Sequence, residues 1–247
     1  MYKKELYPKE LFELIFAYAK KKAEILKIDY IESIRLYTPI YFLIGNYSWD
    51  FNPNSLLWKE FLKGVEQGEN LVELAYNLHV INYQDPTNKQ KWFGCFRYKY
   101  VKDEQGSGVI KLHFLNDGSS KEGPLALSQS NQRIKELKEM FEDINTNYPE
   151  AKYVEGGSWL YNLESYKRLF PKEYFKNMKS RLPKTNILVI WGQFINSEWG
   201  IKEKEAQKFK IQLEKTNTLQ ELDSVFEMFE LQPKGEIKYF YKFYSIK

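Results

Sequence analysis

The sequence predicts an α/β fold of the α+β kind: a mixed sheet flanked by helices and preceded by a helical N-terminal segment. Three observations predict it. Apolar residues recur at helical spacing through the first third of the chain, residues 92–115 read as a β-hairpin, and beyond them helical stripes alternate with short apolar runs. At 247 residues, with 43% hydrophobic and 28% charged residues, the chain is long enough to bury a sizeable core and is not of disordered composition. Aromatic residues stand out at 17%, which points to aromatic core and pocket lining.

In order along the chain, Leu11, Leu14, Ile15, Tyr18, Ala19 and Ile25 mark one face of a helix from Pro8 to Leu26, with lysines between them. The apolar stretch Ile34 to Ile44 has no clear period. Asn54 or Ser55 can cap a helix that carries Leu57, Phe61, Leu62 and Val65, and Glu69 to Leu78 reads as another. The polar, aperiodic QDPTNKQ, Gln84 to Gln90, is the expected boundary, which gives a helical segment over 1–86 and an α/β domain over 87–247. Trp92 to Val101 and Val109 to Leu115 flank the turn residues KDEQGSG and predict the hairpin. Ile134, Leu137, Phe141, Ile144 and Tyr148 then form a helical stripe, with Ser128 or Ser130 as its cap. A short strand at Tyr153 and Val154 follows, then a helix from Leu160 to Phe170 ended by Pro171. The apolar run Asn186 to Phe194 reads as a buried strand. Helices around Lys202 to Leu213 and Thr218 to Phe229 precede a last strand over Glu236 to Ile246. Such alternation places a ligand crevice at the carboxyl ends of the strands, at the loops after Leu115 and Val154.

Charge and composition exclude several classes. The 37 basic and 33 acidic residues are interspersed, and only five of the basic ones are arginines (Arg35, Arg97, Arg133, Arg168 and Arg181), which argues against a nucleic-acid binder. Cys95 is the single cysteine, so neither an intramolecular disulfide nor a thiolate zinc cluster can form, and two histidines without an acidic spacing motif argue against any metal site. The longest apolar run, Ile40 to Ile44, is too short to span a bilayer, and Met1 to Leu6 lacks the apolar core of a signal peptide. The expectation is a cytoplasmic protein with no membrane association.

The densest chemical signal is GGSWLYNLESYKRLFP, Gly156 to Pro171, at a strand-to-helix junction. Paired glycines allow close approach of a ligand, and a helix start offers free amides to an anion. The same residues equally make a tight turn, with Ser158 as a cap and Trp159 in the core. A serine-hydrolase elbow is not met, because Leu160 replaces the second glycine and both His79 and His113 precede the serine. Cys95 and His113 lie on the two hairpin strands, where one register makes them neighbours and a one-residue slip separates them. A structural cysteine and a hydrogen-bonded histidine remain the alternative. The loop Asn116 to Ser128 can present amides to a phosphate, or simply be solvated; its glycines do not form a P-loop.

The segments VIKLHFLNDGSSKEGPL, YVEGGSWL and NILVIWGQF, with Met140 and Phe141 on the helix between, resemble GNAT-like acyltransferase domains of bacterial proteins over roughly Trp92 to Lys247. The resemblance implies a GNAT-like fold and an N-acyltransferase that moves an acyl group from acyl-CoA, as co-substrate, to an amine. It implies that amides near Gly123 and Leu125 hold the cofactor's pyrophosphate. Asn162 matches the superfamily's asparagine, and Tyr166 the tyrosine that protonates the departing thiolate. His113 or Glu155 would deprotonate the amine. SSKEGPL carries one glycine where the superfamily's loop has R/Q-x-x-G-x-G/A, and this keeps a non-catalytic ligand-binding or protein-interaction module on the same fold as the alternative.

Overall fold

The computed structural model describes residues 6–84, 91–116 and 122–247. In chain order its main elements are helices α1 (Lys9–Leu26), α2 (Tyr30–Tyr37), α3 (Leu56–Glu66) and α4 (Leu71–Asn82), then strands β1 (Phe96–Lys102) and β2 (Gly108–Phe114). Helix α5 (Ser130–Asn147), strand β3 (Ala151–Glu155), the single turn α6 (Glu164–Lys167) and strand β4 (Lys179–Arg181) follow. Helices α7 (Glu203–Lys215) and α8 (Leu219–Asp223), strands β5 (Glu230–Gln232) and β6 (Lys234–Glu236), and helix α9 (Ile237–Tyr244) complete the chain. The described residues form two compact units, 6–84 with 183–227 and 91–116 with 122–182 and 228–247. Residues 183–227 thus group with the N-terminal helices instead of continuing the sheet-bearing unit, and most of the QDPTNKQ segment, 85–90, lies outside the described residues.

The helical unit is built around α1, which buries Leu11, Phe12, Leu14, Ile15, Phe16, Tyr18 and Ala19 because α2, α4, α7 and α8 surround it. Ser55 and Asn70 accept backbone N–H groups at the starts of α3 and α4, and Thr218 and Glu221 form a reciprocal capping box on α8. The aperiodic stretch after α2 closes as a wide π-helical turn over Phe42–Asn46, with Gly45 at φ 114°. The run expected as a strand over Asn186 to Phe194 is instead a 3₁₀ segment, Ile190–Phe194. Trp191 sits there fully buried among Tyr18, Phe194, Phe209 and Phe226, its indole N–H donating to the Thr185 carbonyl at 2.8 Å. A continuous apolar run fits any fully buried element, so burial alone does not make it a strand.

The other unit holds a four-stranded mixed sheet in the order β1-β2-β3-β6: β1 and β2 antiparallel, β2 and β3 parallel, β3 and β6 antiparallel. A short antiparallel pair, β4 with β5, forms a second sheet. The hairpin closes through Asp103, whose carboxylate accepts the Gln105 and Ser107 N–H groups, and Gly106 supplies the positive φ of 77°. One face of the large sheet carries Phe96, Ile110, Leu112 and Val154 into a core completed by Leu137, Met140, Phe141 and Ile144 of α5 and Ile237, Phe240 and Tyr244 of α9. Phe141 stacks on Phe240 at 4.9 Å and on Tyr244 at 5.2 Å. Each such full burial is worth about 1.5–3 kcal/mol.

Three further expectations change. The last strand is confined to Lys234–Glu236, and the aromatic tail after it is α9, because Ile237, Phe240 and Tyr244 meet the core at helical spacing. Neither Ser128 nor Ser130 caps α5, which follows directly from a 3₁₀ turn over Leu127–Gln129 and has no side-chain cap. The expected helix over Leu160 to Phe170 is broken into a 3₁₀ turn, Trp159–Asn162, and the single turn α6, with Ser158 accepting the Leu160 N–H at 3.1 Å as the turn reading requires.

Candidate functional site

The site is set by where β2 and β3 part. Their pairing runs from Gly108 with Ala151 to Lys111 with Glu155 and stops there, while β2 continues to Phe114 alongside β1. Past Glu155 the backbone bonds in the other direction, Gly156 N–H to the Pro233 carbonyl and Ser158 N–H to the Leu231 carbonyl, both at 3.1 Å. The Leu115 N–H donates to the Cys95 carbonyl at 2.9 Å, on the β1 side. Alternation along the strand therefore directs the Leu112 carbonyl and the Phe114 N–H to the side that β3 has left.

On the core face at this point the ring of Phe114 meets that of Tyr166 at 5.4 Å, and Tyr166 meets Tyr161 at 5.0 Å and Phe170 at 5.1 Å. Tyr166 is 2% exposed. Burial, then the neighbouring Tyr161, push its pKa well above the ordinary phenol value, so it keeps its proton at any physiological pH. Tyr161 and Tyr174 are likewise fully buried, their hydroxyls 3.2 Å apart. The Tyr161 hydroxyl packs directly on Gly156, leaving no room there for a Cβ.

Behind them lies a cluster that the sequence reading missed. Arg133 and Glu136 of α5 are buried, and the Glu136 carboxylate accepts from Arg133 at 2.6 Å, from Gln132 at 3.0 Å and from the Cys95 N–H at 3.1 Å. Arg133 also donates to the Cys95 sulfur at 2.7 Å. Gly94, at φ 58°, precedes the cysteine and lies against the Glu136 carboxylate, where any side chain would collide. The i, i+3 spacing of Arg133 and Glu136 was the available signal, but surface pairs on helices share it. The hairpin register puts Phe96 opposite Phe114 and Arg97 opposite His113, so Cys95 faces Arg133 and forms no pair with His113.

The outer face of the sheet holds the two nominated bases. His113 lies beside Arg97 with part of its surface open to solvent, and desolvation by its neighbours, followed by the positive charges of Arg97, Lys99 and Lys111, depresses its pKa to about 4. Glu155 is flanked by Lys234 at 2.8 Å and Lys111 at 3.5 Å. Partial burial works to raise its pKa, but the hydrogen bonds and charges of the two lysines outweigh it and hold the carboxyl below the ordinary value. Glu155 is therefore held as an ion-pair anion, while His113 is a neutral imidazole at pH 7. They share a face with each other and not with Tyr166.

The remaining nominated residues brace the neighbouring loops. Gly123 is buried at φ 87° and its carbonyl accepts the Ala126 N–H at 3.2 Å. The Leu125 carbonyl accepts from the Arg168 guanidinium at 2.7 Å, as does that of Ala126 at 2.9 Å. Asn162 donates to the carbonyls of Trp159 and Phe229, at 2.6 and 2.9 Å, which ties the 3₁₀ turn to the chain entering β5. Residues 117–121 of the expected phosphate loop lie outside the described residues. An open depression of about 450 Å³ in the helical unit, bordered by Gln212, Lys215, Gln220, Glu221 and Val225, includes none of the nominated residues. Among the described residues there is no group of three His, Cys, Asp or Glu side chains placed to hold a metal ion, and no helix long and apolar enough to cross a membrane. No protein-family model, curated protein or solved structure matches the chain.

Proposed function

We propose that the sheet-bearing unit is a GNAT-like N-acyltransferase that moves an acyl group from acyl-CoA to an amine. The observation that carries this reading is the parting of β2 from β3 beyond Lys111 and Glu155, with Tyr166 beneath Phe114 at the same level. The Leu112 carbonyl and Phe114 N–H then suit the amide groups of a pantetheine arm, and the braced turn at Gly123 and Leu125 suits its pyrophosphate. In the reaction the amine nitrogen attacks the thioester carbonyl. The amine enters as the free base and its proton passes to solvent, because His113 and Glu155 lie on the face of the sheet away from Tyr166. As the C–S bond breaks, Tyr166 gives its phenolic proton to the departing sulfur, and solvent reprotonates the tyrosine.

One observation favours a second reading, a non-catalytic ligand-binding or protein-interaction module: the Tyr161 side chain occupies the space against Gly156 where the two strands separate. Incubation of the full chain with acetyl-CoA or longer acyl-CoA and a pool of amines decides between the two, with free thiol and acylated amine both measured. The enzyme reading predicts matched release of thiol and amide, a kcat about a hundredfold lower in Tyr166→Phe with KM nearly unchanged, and a kcat close to the parent's in His113→Gln. Absence of thiol release and amide formation with every donor and amine would leave the module.

A further inference from the structure

The outer face of the hairpin carries an arrangement of charge that the sheet alone does not account for. Two successive rungs on that face are Arg97 opposite His113 and Lys99 opposite Lys111. Like charges placed directly across an antiparallel pair repel and cost stability. Lys111 has Glu155 at 3.5 Å, and Glu155 is shared with Lys234 at 2.8 Å. Arg97 and Lys99 form no ion pair among the described residues. The Arg97 guanidinium lies over the Trp92 ring at 5.0 Å, and both Arg97 Nε and the Trp92 indole N–H are buried without a hydrogen-bond partner. Buried donors without partners are rare in folded proteins, and two of them side by side call for an acceptor.

We propose that this face is a binding site for a small molecule bearing two oxyanion groups, held by the Arg97 guanidinium and Lys99, with the Trp92 ring beneath the guanidinium and His113 at the edge. Rungs on one face of a strand repeat at about 6.8 Å, a span from which the long Arg97 and Lys99 side chains can converge on the two anionic groups of a diphosphate or a short dicarboxylate. The guanidinium offers a planar fork to one oxyanion, and Lys99, exposed, closes on the other as a mobile point charge. The site goes beyond the acyl-transfer reading and does not depend on it, because it needs neither the parted strands nor Tyr166.

The two imidazoles make the site readable in solution. His79 is buried with its Nδ1 2.8 Å from the Leu43 carbonyl, so the resonance that vanishes in His113→Gln belongs to the outer face. Pyrophosphate, citrate and a short oligothymidylate are titrated separately into the full chain while the His113 ring resonance is followed at constant ionic strength. The proposal expects a saturable shift with pyrophosphate or citrate, whichever is tighter naming phosphate or carboxylate as the ligand chemistry. It also expects a loss of affinity of about tenfold or more in Lys99→Gln, whose exposed side chain is not needed for folding, and a comparable loss in Arg97→Gln. No saturable shift with either small anion, a shift unchanged in Lys99→Gln, or binding of the oligonucleotide alone would overturn it.

Discussion

Glu136 is the residue on which the interior of the sheet-bearing unit turns. Its carboxylate receives three hydrogen bonds, from Arg133, Gln132 and the Cys95 backbone, in a position 4% exposed. Removing one member of a buried ion pair leaves the other charged, desolvated and unpaired. Glu136→Ala should therefore destabilise the protein by about 3–5 kcal/mol, and replacing both Arg133 and Glu136 by methionine should cost less than the single change. Urea unfolding of the two variants beside the parent chain checks the order, and a double variant weaker than Glu136→Ala would contradict it. His113 supplies the complementary case on the surface. Its folded pKa of about 4 lies below the ordinary 6.5, so the unfolded chain takes the proton first as pH falls. Its contribution is fully present above pH 6.5 and is lost as pH drops from 6.5 toward 4. His113→Gln should thus hold its stability better than the parent chain over that window, with the gap between them closing above it, as urea midpoints at pH 7.5 and 4.5 would show. A constant gap at both pH values would count against the positive face described above.

At the scale of elements, what the sequence discloses follows from whether a pattern admits one period or two. The stripes Leu11 to Ala19 and Ile134 to Ile144 fit only a helix, and α1 and α5 are where those stripes place them. The hairpin was legible because alternating residues flank a turn rich in Asp, Gly and Ser. Its register was not, since alternation alone is unchanged by a slip of two residues, and the pairing of Phe96 with Phe114 that separates Cys95 from His113 is fixed by the turn and by the core. The runs Ile187 to Trp191 and Ile237 to Tyr244 are apolar enough to satisfy a strand and a helix alike. Their surroundings decide: the ring cluster about Trp191 encloses a helical turn, and Phe141 stacks on successive core-facing positions of α9.

At the scale of the molecule, the aromatic excess of the composition is explained by two separate interiors, one around Tyr18, Trp191, Phe209 and Phe226 and one around Phe141, Tyr161, Tyr166, Tyr174 and Phe240. The chain leaves the sheet-bearing unit at residue 182 and returns at 228, an excursion hidden from a linear reading because Pro183 and Met228 stand in no unusual composition. Of the nominated site residues, His113 and Glu155 lie near the ends of strands that the sequence placed, since those follow from topology, but their position on the face away from Tyr166 was not legible. The central claim is that β2, beyond its last rung with β3, receives an acyl-CoA arm. The most direct measurement is a titration of the full chain with acetyl-CoA followed through backbone amide resonances. The account predicts saturable shifts centred on the amides of Phe114 and Leu115, with those of β1 residues Tyr100 to Lys102 unmoved; shifts confined to other parts of the chain, or none at millimolar acetyl-CoA, would contradict it.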